Sequence, residues 1–229
     1  MLHKSRGIVL NHIKYGESSV IVHIYTEKFG IQSYIENGVR KQKAKNKIAL
    51  FQPLTLLELV VYKKASGGIN RISEIKCLHP YQSIPYQITK STIGIFIAEI
   101  LNNLLRGEEE ENPGMFDFIH ESLLFFDRQN HNFFNFHLQF LNDLSMYLGF
   151  SAANAEEMIN EVKPYHPTKM NILTEAKLDE LLSSNLTDEL KLTGVERRAL
   201  LSIIIQFFQI HSNSLKEIKS LKILHEVLS

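Results

Sequence analysis

The sequence SVIVHIYTEKFGIQSYI, residues 19–35, contains two strand-like segments joined by a short polar connection. In the first segment Val20, Val22 and Ile24 would lie on one side of an extended chain, and the residues between them on the other. The connection TEKFG, residues 26–30, ends in glycine and is typical of a hairpin turn. Because alternation resumes after this turn, the stretch predicts two paired antiparallel strands.

Further strand-like stretches precede and follow this hairpin, at residues 7–13, 54–62 and 69–78. The sequence ASGG at residues 65–68 is a turn signal, and residues 37–47 form a polar interruption between the third and fourth strands. Five short strands suit a closed barrel, because closure removes exposed strand edges. The OB-fold is the commonest five-stranded solution, and we expect it here.

After residue 80 the hydrophobic period becomes helical. The pattern predicts helices at residues 88–105, 113–126, 133–148, 175–182, 196–211 and 215–228. Residues 151–171 are the least regular part of this region. The sequence therefore predicts an α+β protein with an OB-fold DNA-binding domain at residues 1–80 and an all-α protein-interaction domain at residues 81–229.

The formal net charge of zero conceals a division between these two parts. Residues 1–80 contain 13 Lys and Arg against 5 Asp and Glu, and the remainder contains 12 against 20. A basic part beside an acidic part indicates two surfaces for different partners, with the basic one suited to polyanions. No apolar stretch is long enough to span a bilayer and the N-terminus has no signal-peptide core, so we expect a cytoplasmic protein.

The sequence contains no recognisable catalytic motif. It has no HExxH, GxxxxGK, GxGxxG or GxSxG arrangement, and its ten histidines are scattered. The single cysteine, Cys77, excludes an intramolecular disulfide and a multi-cysteine zinc cage. We therefore expect a protein that is not an enzyme and has no cofactor.

Cations are concentrated in the sequence GVRKQKAKNK, residues 38–47, which contains no acid. Such a run can neutralise phosphates and release their condensed counterions. A solvated loop that opposes self-association is the alternative. The predicted DNA-binding residues are Arg40, Lys41, Lys43, Lys45 and Lys47 in this run, Lys14 in the first inter-strand loop, and Lys63 and Lys64 in the fourth-to-fifth loop. Base stacking on Tyr25, Tyr34 and Tyr62 is possible, although strand tyrosines are more often core residues.

The order of several short segments resembles the RecO family of bacterial recombination mediators. These segments are GIVL at residues 7–10, YGES at 15–18, TEKFG at 26–30, GVRKQK at 38–43, FQPL at 51–54, YLGF at 147–150 and KSLKIL at 219–224. The resemblance is strong over the first 80 residues and looser afterwards. It implies an N-terminal OB domain, a helical domain, and DNA repair and recombination in the RecF pathway.

The resemblance also implies specific activities and partners. It implies binding to single- and double-stranded DNA, strand annealing, and loading of RecA onto strands coated by single-stranded DNA-binding protein. The implied protein partners are RecR and the acidic C-terminal tail of that coating protein. Within the basic run, Arg40, Lys41 and Lys43 occupy the family's basic loop. Many members carry a four-cysteine zinc module after the helix matching residues 133–150, but residues 151–171 contain no cysteine, so zinc is not expected.

Two other classes of function remain open at this stage. An OB-fold module that binds RNA would prefer RNA over a matched DNA strand, through the 2′-hydroxyl. The other class is a protein-interaction scaffold whose basic loop binds an acidic partner. Its complex with that partner would survive nuclease treatment in a pull-down, and the protein would not bind DNA at physiological salt.

Overall fold

The computed structural model of the chain describes residues 2–39, 45–63, 68–165, 172–215 and 217–228. Five strands form a closed barrel in the order β1-β2-β3-β5-β4, which confirms the predicted OB-fold. The strands are β1 (Leu2–Tyr15), β2 (Ser19–Thr26), β3 (Gly30–Glu36), β4 (Leu56–Tyr62) and β5 (Asn70–Cys77). All neighbours are antiparallel except β3 and β5, which meet in a short parallel contact.

The long first strand closes the barrel. Residues 2–8 pair with β4 and residues 7–15 pair with β2, and the pairing with β2 has a register shift between Val9 and Asn11, just beyond the last residue that pairs with β4. A bulge of this kind bends a strand and lets it serve two neighbours. Because β1 continues to Tyr15, Lys14 lies within a strand and not in the inter-strand loop that we predicted.

The connection between β3 and β4 also differs from the prediction. Part of the stretch predicted as a polar loop forms a short helix, α1 (Lys45–Ala49). The fourth strand begins at Leu56, two residues later than predicted, because Leu54 has a positive φ of 66° in the preceding turn. A strand residue cannot adopt that backbone conformation.

The remainder of the chain is helical, as predicted. The helices are α2 (Ile88–Leu104), α3 (Pro113–Arg128), α4 (Phe136–Leu148) preceded by a 3₁₀ turn (Phe133–Asn135), α5 (Ala155–Val162), α6 (Ile172–Ser183), α7 (Gly194–His211) and α8 (Leu221–Val227). The last helix is shorter than the predicted range 215–228. Within the described residues, no helix combines the length and the apolar character needed to cross a membrane.

Helix α5 was not predicted, yet it carries a local signal. The Asn154 side chain accepts a hydrogen bond from the backbone N–H of Glu157, and the Glu157 carboxylate accepts one from the N–H of Ala153. This reciprocal arrangement is a variant of the capping box, which stabilises the start of a helix. The helix lies in the stretch where the family's zinc module was considered, and it buries Met158 and Val162.

The barrel contributes to two hydrophobic cores. Its interior is filled by alternate residues such as Val9, Val22 and Ile24. The residues between them point outward on one side of the barrel, where Ile8 and other side chains join the core of the helices. Barrel strands that are buried on both faces hold the helical region against the barrel, so residues from both parts can line one site.

The linker between α2 and α3, residues 105–112, also contacts one edge of the barrel. The backbone N–H of Ile31 donates a hydrogen bond of 2.7 Å to the carbonyl oxygen of Glu108. Gly30 has a φ of +59°, and a Cβ atom there would lie 1.9 Å from the same oxygen. The linker can approach this closely only because residue 30 is glycine.

Candidate nucleic-acid interface

Three of the five carboxylates in residues 1–80 are paired with cations of the barrel. Arg6 contacts Glu27 at 2.9 Å and also reaches Asp117 of α3 at 2.6 Å. Its side-chain hydrogen bond lowers the pKa of Glu27, so that carboxylate is charged at neutral pH. A phosphate that binds one of these paired cations must compete with the carboxylate that already contacts it.

Among the predicted DNA-binding residues, Lys47 is one that forms such an ion pair. Its ammonium nitrogen lies 2.5 Å from a carboxylate oxygen of Glu36, whose residue is 8% exposed. The charge of Lys47 is therefore already neutralised by the protein itself, and the contact ties α1 to β3. This corrects the expectation that Lys47 is a free loop cation, because a phosphate would have to replace Glu36.

A second group of barrel cations is exposed and forms no salt bridge with any residue that the structure describes. This group, which we call the unpaired cations, consists of Lys4, Lys14, Lys28, Lys63 and Arg71. Lys14 lies near the end of β1, opposite Val20 of β2. Exposed cations that form no salt bridge can exchange water and counterions for a phosphate without displacing a carboxylate.

Lys63 directly follows β4, at the start of the predicted fourth-to-fifth connection. Its ammonium nitrogen lies 4.3 Å above the ring centroid of Phe29, in the turn between β2 and β3. The rings of His3 and Phe29 pack edge to face, with 5.3 Å between their centroids. A cation held on an aromatic face keeps its charge available on the other side.

Four of the predicted DNA-binding residues lie outside the described part of the chain, namely Arg40, Lys41, Lys43 and Lys64. Lys45 begins α1, and its side chain is also outside the described set. The part of the barrel that can be described therefore tests the position of only three predicted lysines: Lys14, Lys47 and Lys63.

The tyrosines are divided between core and surface. Tyr25 and Tyr34 are each 1% exposed, and burial raises their pKa above the ordinary value. These two rings are core residues and cannot stack on a base, so the structure contradicts that use. Tyr62, at the end of β4, is 52% exposed and retains an accessible ring.

A cleft of about 410 Å³ lies where the β3–β5 edge of the barrel meets the end of α2. Its lining includes Lys63 from the barrel, Arg106 and Glu109 from the linker, and His23 from β2. Burial, assisted by the charge of Arg106, lowers the pKa of His23, so its ring is neutral at pH 7. The cleft thus joins two cations, one carboxylate and a neutral imidazole.

Sequence reasoning missed Arg106 and His23 as members of a site. Arg106 precedes Gly107, and this pair indicated only the end of a helix. His23 occupied an alternating position in a strand, where an ordinary histidine was the simplest interpretation. Only the folded chain brings a residue from position 23 to the same cleft as residues from positions 63 and 106. Among the described residues, no group of three His, Cys, Asp or Glu could hold a metal ion.

The closed five-stranded barrel, with a helix between its third and fourth strands and helices behind it, defines an OB-fold protein of the α+β class. Residues 1–81 match the family model described as "Recombination protein O N terminal", and residues 85–156 match "Recombination protein O C terminal".

Proteins named DNA repair protein RecO from three bacteria are similar along the whole chain. The identities are 38% for Flavobacterium psychrophilum, 35% for Flavobacterium johnsoniae and 36% for Bacteroides fragilis, with 99% of each chain covered. The chain belongs to the RecO family, which confirms the resemblance found in the sequence.

Proposed function

We propose that this protein is a cytoplasmic, non-enzymatic recombination mediator. It binds single- and double-stranded DNA through the barrel, anneals complementary strands, and helps to load RecA onto strands coated by single-stranded DNA-binding protein. The observation that carries this proposal is the group of unpaired cations on a barrel where Arg6, Lys47 and Lys76, the other cations whose side chains the structure describes, are each paired with a carboxylate. Membership of the RecO family supports DNA as their ligand.

The mechanism is electrostatic and forms no covalent bond. Two DNA strands repel each other through their phosphates, and this repulsion opposes pairing. A basic surface that contacts both strands neutralises part of that charge and releases condensed counterions. The strands can then approach and form base pairs, after which the duplex gains its own stacking energy.

The proposed contacts are those predicted from the sequence: Arg40, Lys41, Lys43 and Lys45 in the basic run, with Lys14, Lys63 and Lys64 from the other connections and strand ends. Lys47 contributes only where its pair with Glu36 opens. Arginine suits this role because its planar guanidinium group can bind phosphate in a bidentate manner.

The helical region is proposed to recruit protein partners. RecR and the acidic C-terminal tail of single-stranded DNA-binding protein are the candidates, and RecA is engaged indirectly. From residue 81 onward the chain contains 12 Lys and Arg against 20 Asp and Glu, so we expect the barrel to make most of the contacts with DNA phosphates.

The central test replaces Arg40, Lys41 and Lys43 together with alanine. DNA affinity should fall, and the slope of log affinity against log salt should flatten by roughly 0.7 per lost contact on single strands and 0.9 on duplex. Lys76→Ala is the control, since Lys76 is paired with Glu58. Annealing of strands precoated with single-stranded DNA-binding protein should slow in the triple variant but not in the control.

Unchanged DNA binding in the triple variant would remove the basic run from the mechanism. Competition with a matched RNA that displaces DNA would favour an RNA-binding module. A partner pull-down that survives nuclease treatment, with no DNA binding at physiological salt, would favour a protein scaffold.

A further inference from the structure

We infer that the cleft between the barrel and the end of α2 binds one unstacked nucleotide of single-stranded DNA, with Lys63 and Arg106 at its phosphate and His23 beside its base. The inference rests on the proposed function and adds a specific site to it. It also assigns a DNA-binding role to Arg106, which lies outside the barrel. Neither the sequence motifs nor the family match identifies this site.

The two cations suit a phosphate because they come from different parts of the chain and converge on one cleft. Lys63 follows β4, and Arg106 follows α2. Both are exposed, and neither forms a salt bridge with a residue in the described ranges. A lysine and an arginine on either side of one phosphate provide a point charge and a planar fork of donors.

Among the described residues that line the cleft, Glu109 is the one carboxylate beside these cations. Its charge opposes phosphate binding, so it lowers the affinity of the site and favours release. Substitutions at this site should therefore change DNA affinity in opposite directions. Removing the negative charge of Glu109 should strengthen binding, and removing either cation should weaken it.

The remaining walls suit a base. The ring of His23 is half-buried and neutral at pH 7, as its lowered pKa requires, and a neutral imidazole can stack on a base. Ile31 and Ile69 add apolar surface. The side-chain amide of Asn70 donates a hydrogen bond of 3.1 Å to that of Gln32, which fixes both amides at the cleft wall.

The dimensions of the cleft favour single strands. A volume of about 410 Å³ lies at the small end of the range for ligand pockets, and it suits one nucleotide better than a stacked base pair. A nucleotide in a duplex can enter only after unpairing and unstacking, which costs free energy, whereas a single strand presents its bases without that cost.

The linker side of the cleft is held in place before any ligand binds. The hydrogen bond from the Ile31 N–H to the Glu108 carbonyl joins the barrel edge to the linker that carries Arg106 and Glu109. Gly30 permits this contact, as its missing Cβ leaves room for the linker backbone. A preformed site loses less conformational entropy on binding than a mobile one.

The test compares Lys63→Ala, Arg106→Ala and Glu109→Gln with the wild-type chain on two probes, a dT-rich single strand containing 2-aminopurine and a duplex of equal length. Arg128→Ala is the control, because Arg128 is an exposed arginine that does not line the cleft. Each cation variant should weaken single-strand binding about tenfold and flatten its salt slope by about 0.7. Arg106→Ala should change duplex binding less than about twofold, whereas Lys63→Ala also removes a proposed duplex contact and should weaken duplex binding, but by less than it weakens single-strand binding. Glu109→Gln should strengthen single-strand binding.

A second measurement follows the base directly. Wild-type protein should change the fluorescence of 2-aminopurine as the base leaves its neighbours and enters the cleft, and this change should be reduced in His23→Ala. Circular dichroism and thermal unfolding establish that each variant is folded.

The outcomes separate the inference from the proposed function. If the cation variants weaken single-strand and duplex binding equally, or leave both unchanged, while the wild-type chain binds DNA, the cleft is not a nucleotide site and the proposed function stands. If the wild-type chain binds neither probe at low salt, the proposed function fails and the inference fails with it.

Discussion

Lysines have opposite environments on the barrel surface and at the junction with the helices. Lys4, Lys14 and Lys28 are exposed, and no salt bridge joins them to any described residue. Lys90 of α2 is completely buried. Its ammonium group donates to the side chain of Ser83 and to backbone carbonyl groups at the end of α3, namely those of Phe126, Asp127 and Gln129.

The comparison shows how position decides what a cation does. A buried ammonium group must satisfy its donors inside the protein, so its charge serves the fold. An exposed ammonium group is satisfied by water, and it can exchange that water and its counterions for a ligand at little cost. The same residue type is therefore a structural clamp in one region and a candidate ligand contact in the other.

Asp127 completes the junction clamp. Its carboxylate accepts hydrogen bonds from the backbone N–H groups of residues 82, 83 and 84, which follow the barrel. Burial alone would raise the pKa of Asp127, but these hydrogen bonds hold it below its ordinary value. The Asp127 carboxylate and the Lys90 ammonium group thus both tie residues 82–84 to the end of α3.

The largest effect is expected from Lys90→Met, which keeps the apolar stem and removes the charge. The variant leaves several buried carbonyl groups at the end of α3 without a donor, and we expect a loss of about 3–5 kcal/mol in the free energy of unfolding. Denaturant unfolding followed by circular dichroism measures it. Lys222→Met, at an exposed position of α8, should change stability by less than about 0.5 kcal/mol. A loss below about 1 kcal/mol for Lys90→Met would show that the clamp is not structural.

A second prediction compares two glycines of the barrel turns. Gly16 and Gly30 have nearly equal φ angles of +58° and +59°. An alanine at either position acquires left-handed strain of about 1–2 kcal/mol. At Gly16 no atom of the described residues, apart from the chain neighbours, lies within 4 Å of the added Cβ, whereas at Gly30 the Glu108 carbonyl oxygen is 1.9 Å away.

Gly30→Ala should therefore destabilise the protein by about 3 kcal/mol, against about 1 kcal/mol for Gly16→Ala, because the clash breaks the linker contact as well. Denaturant unfolding gives both values. Equal losses would mean that the linker can move from the barrel edge at no cost, which would also weaken the case for a preformed cleft.

The sequence predicted the elements better than it predicted the contacts between them. Alternation located all five strands, since each side of a barrel strand has one environment over several residues. Helix α1 was missed because its five residues are too short to show a helical period and lie beside a run of lysines. Helix α5 was missed although the Asn154 and Glu157 spacing carries a capping signal.

The candidate site was predictable only in part, because pairing of charges depends on contacts between distant segments. Glu36 and Lys47 lie eleven positions apart in the sequence, and the residues between them gave no indication that the two charges would meet. Arg106 was interpreted as the end of a helix, and its place in the same cleft as Lys63 depends on how α2 packs against the barrel. Local sequence patterns report periodicity and caps, but they carry no information about such packing.

The third prediction concerns a buried histidine in the core of the helical region, where burial disfavours the protonated form. His137 is fully buried, and neither ring nitrogen has a hydrogen-bond partner in the described structure. Burial, with smaller contributions from Arg197 and His225, lowers the pKa of His137 to about 3. In the unfolded chain the pKa returns to about 6.5, so the unfolded state binds more protons between these values.

Stability should therefore fall as the pH falls below about 6.5, by about 1.4 kcal/mol per pH unit for this one group. Between pH 6.5 and pH 5, the wild-type chain should lose about 2 kcal/mol more than His137→Leu. Unfolding curves at several pH values measure the difference, with His131→Leu as the exposed-histidine control. Parallel pH profiles for the wild type and His137→Leu would contradict the assignment.

The smallest effect is expected for Lys14→Ala and Lys47→Ala. These two variants compare an unpaired cation of the barrel with a paired one. Each variant removes one positive charge, so both change the long-range attraction of DNA equally. They differ in that Lys14 has no carboxylate partner in the described structure, whereas Lys47 is paired with Glu36. A phosphate that binds Lys14 loses condensed counterions, but one that binds Lys47 must first displace a carboxylate.

Lys14→Ala should weaken single-strand binding about two- to threefold and flatten the salt slope by about 0.7, whereas Lys47→Ala should leave the slope within about 0.2 of the wild-type value. Fluorescence anisotropy of a labelled oligonucleotide at several salt concentrations measures both. Equal slopes for the two variants would mean that the ion pair with Glu36 opens freely when DNA binds. In that case the division between paired and unpaired cations would describe the free protein and would not decide which residues contact DNA.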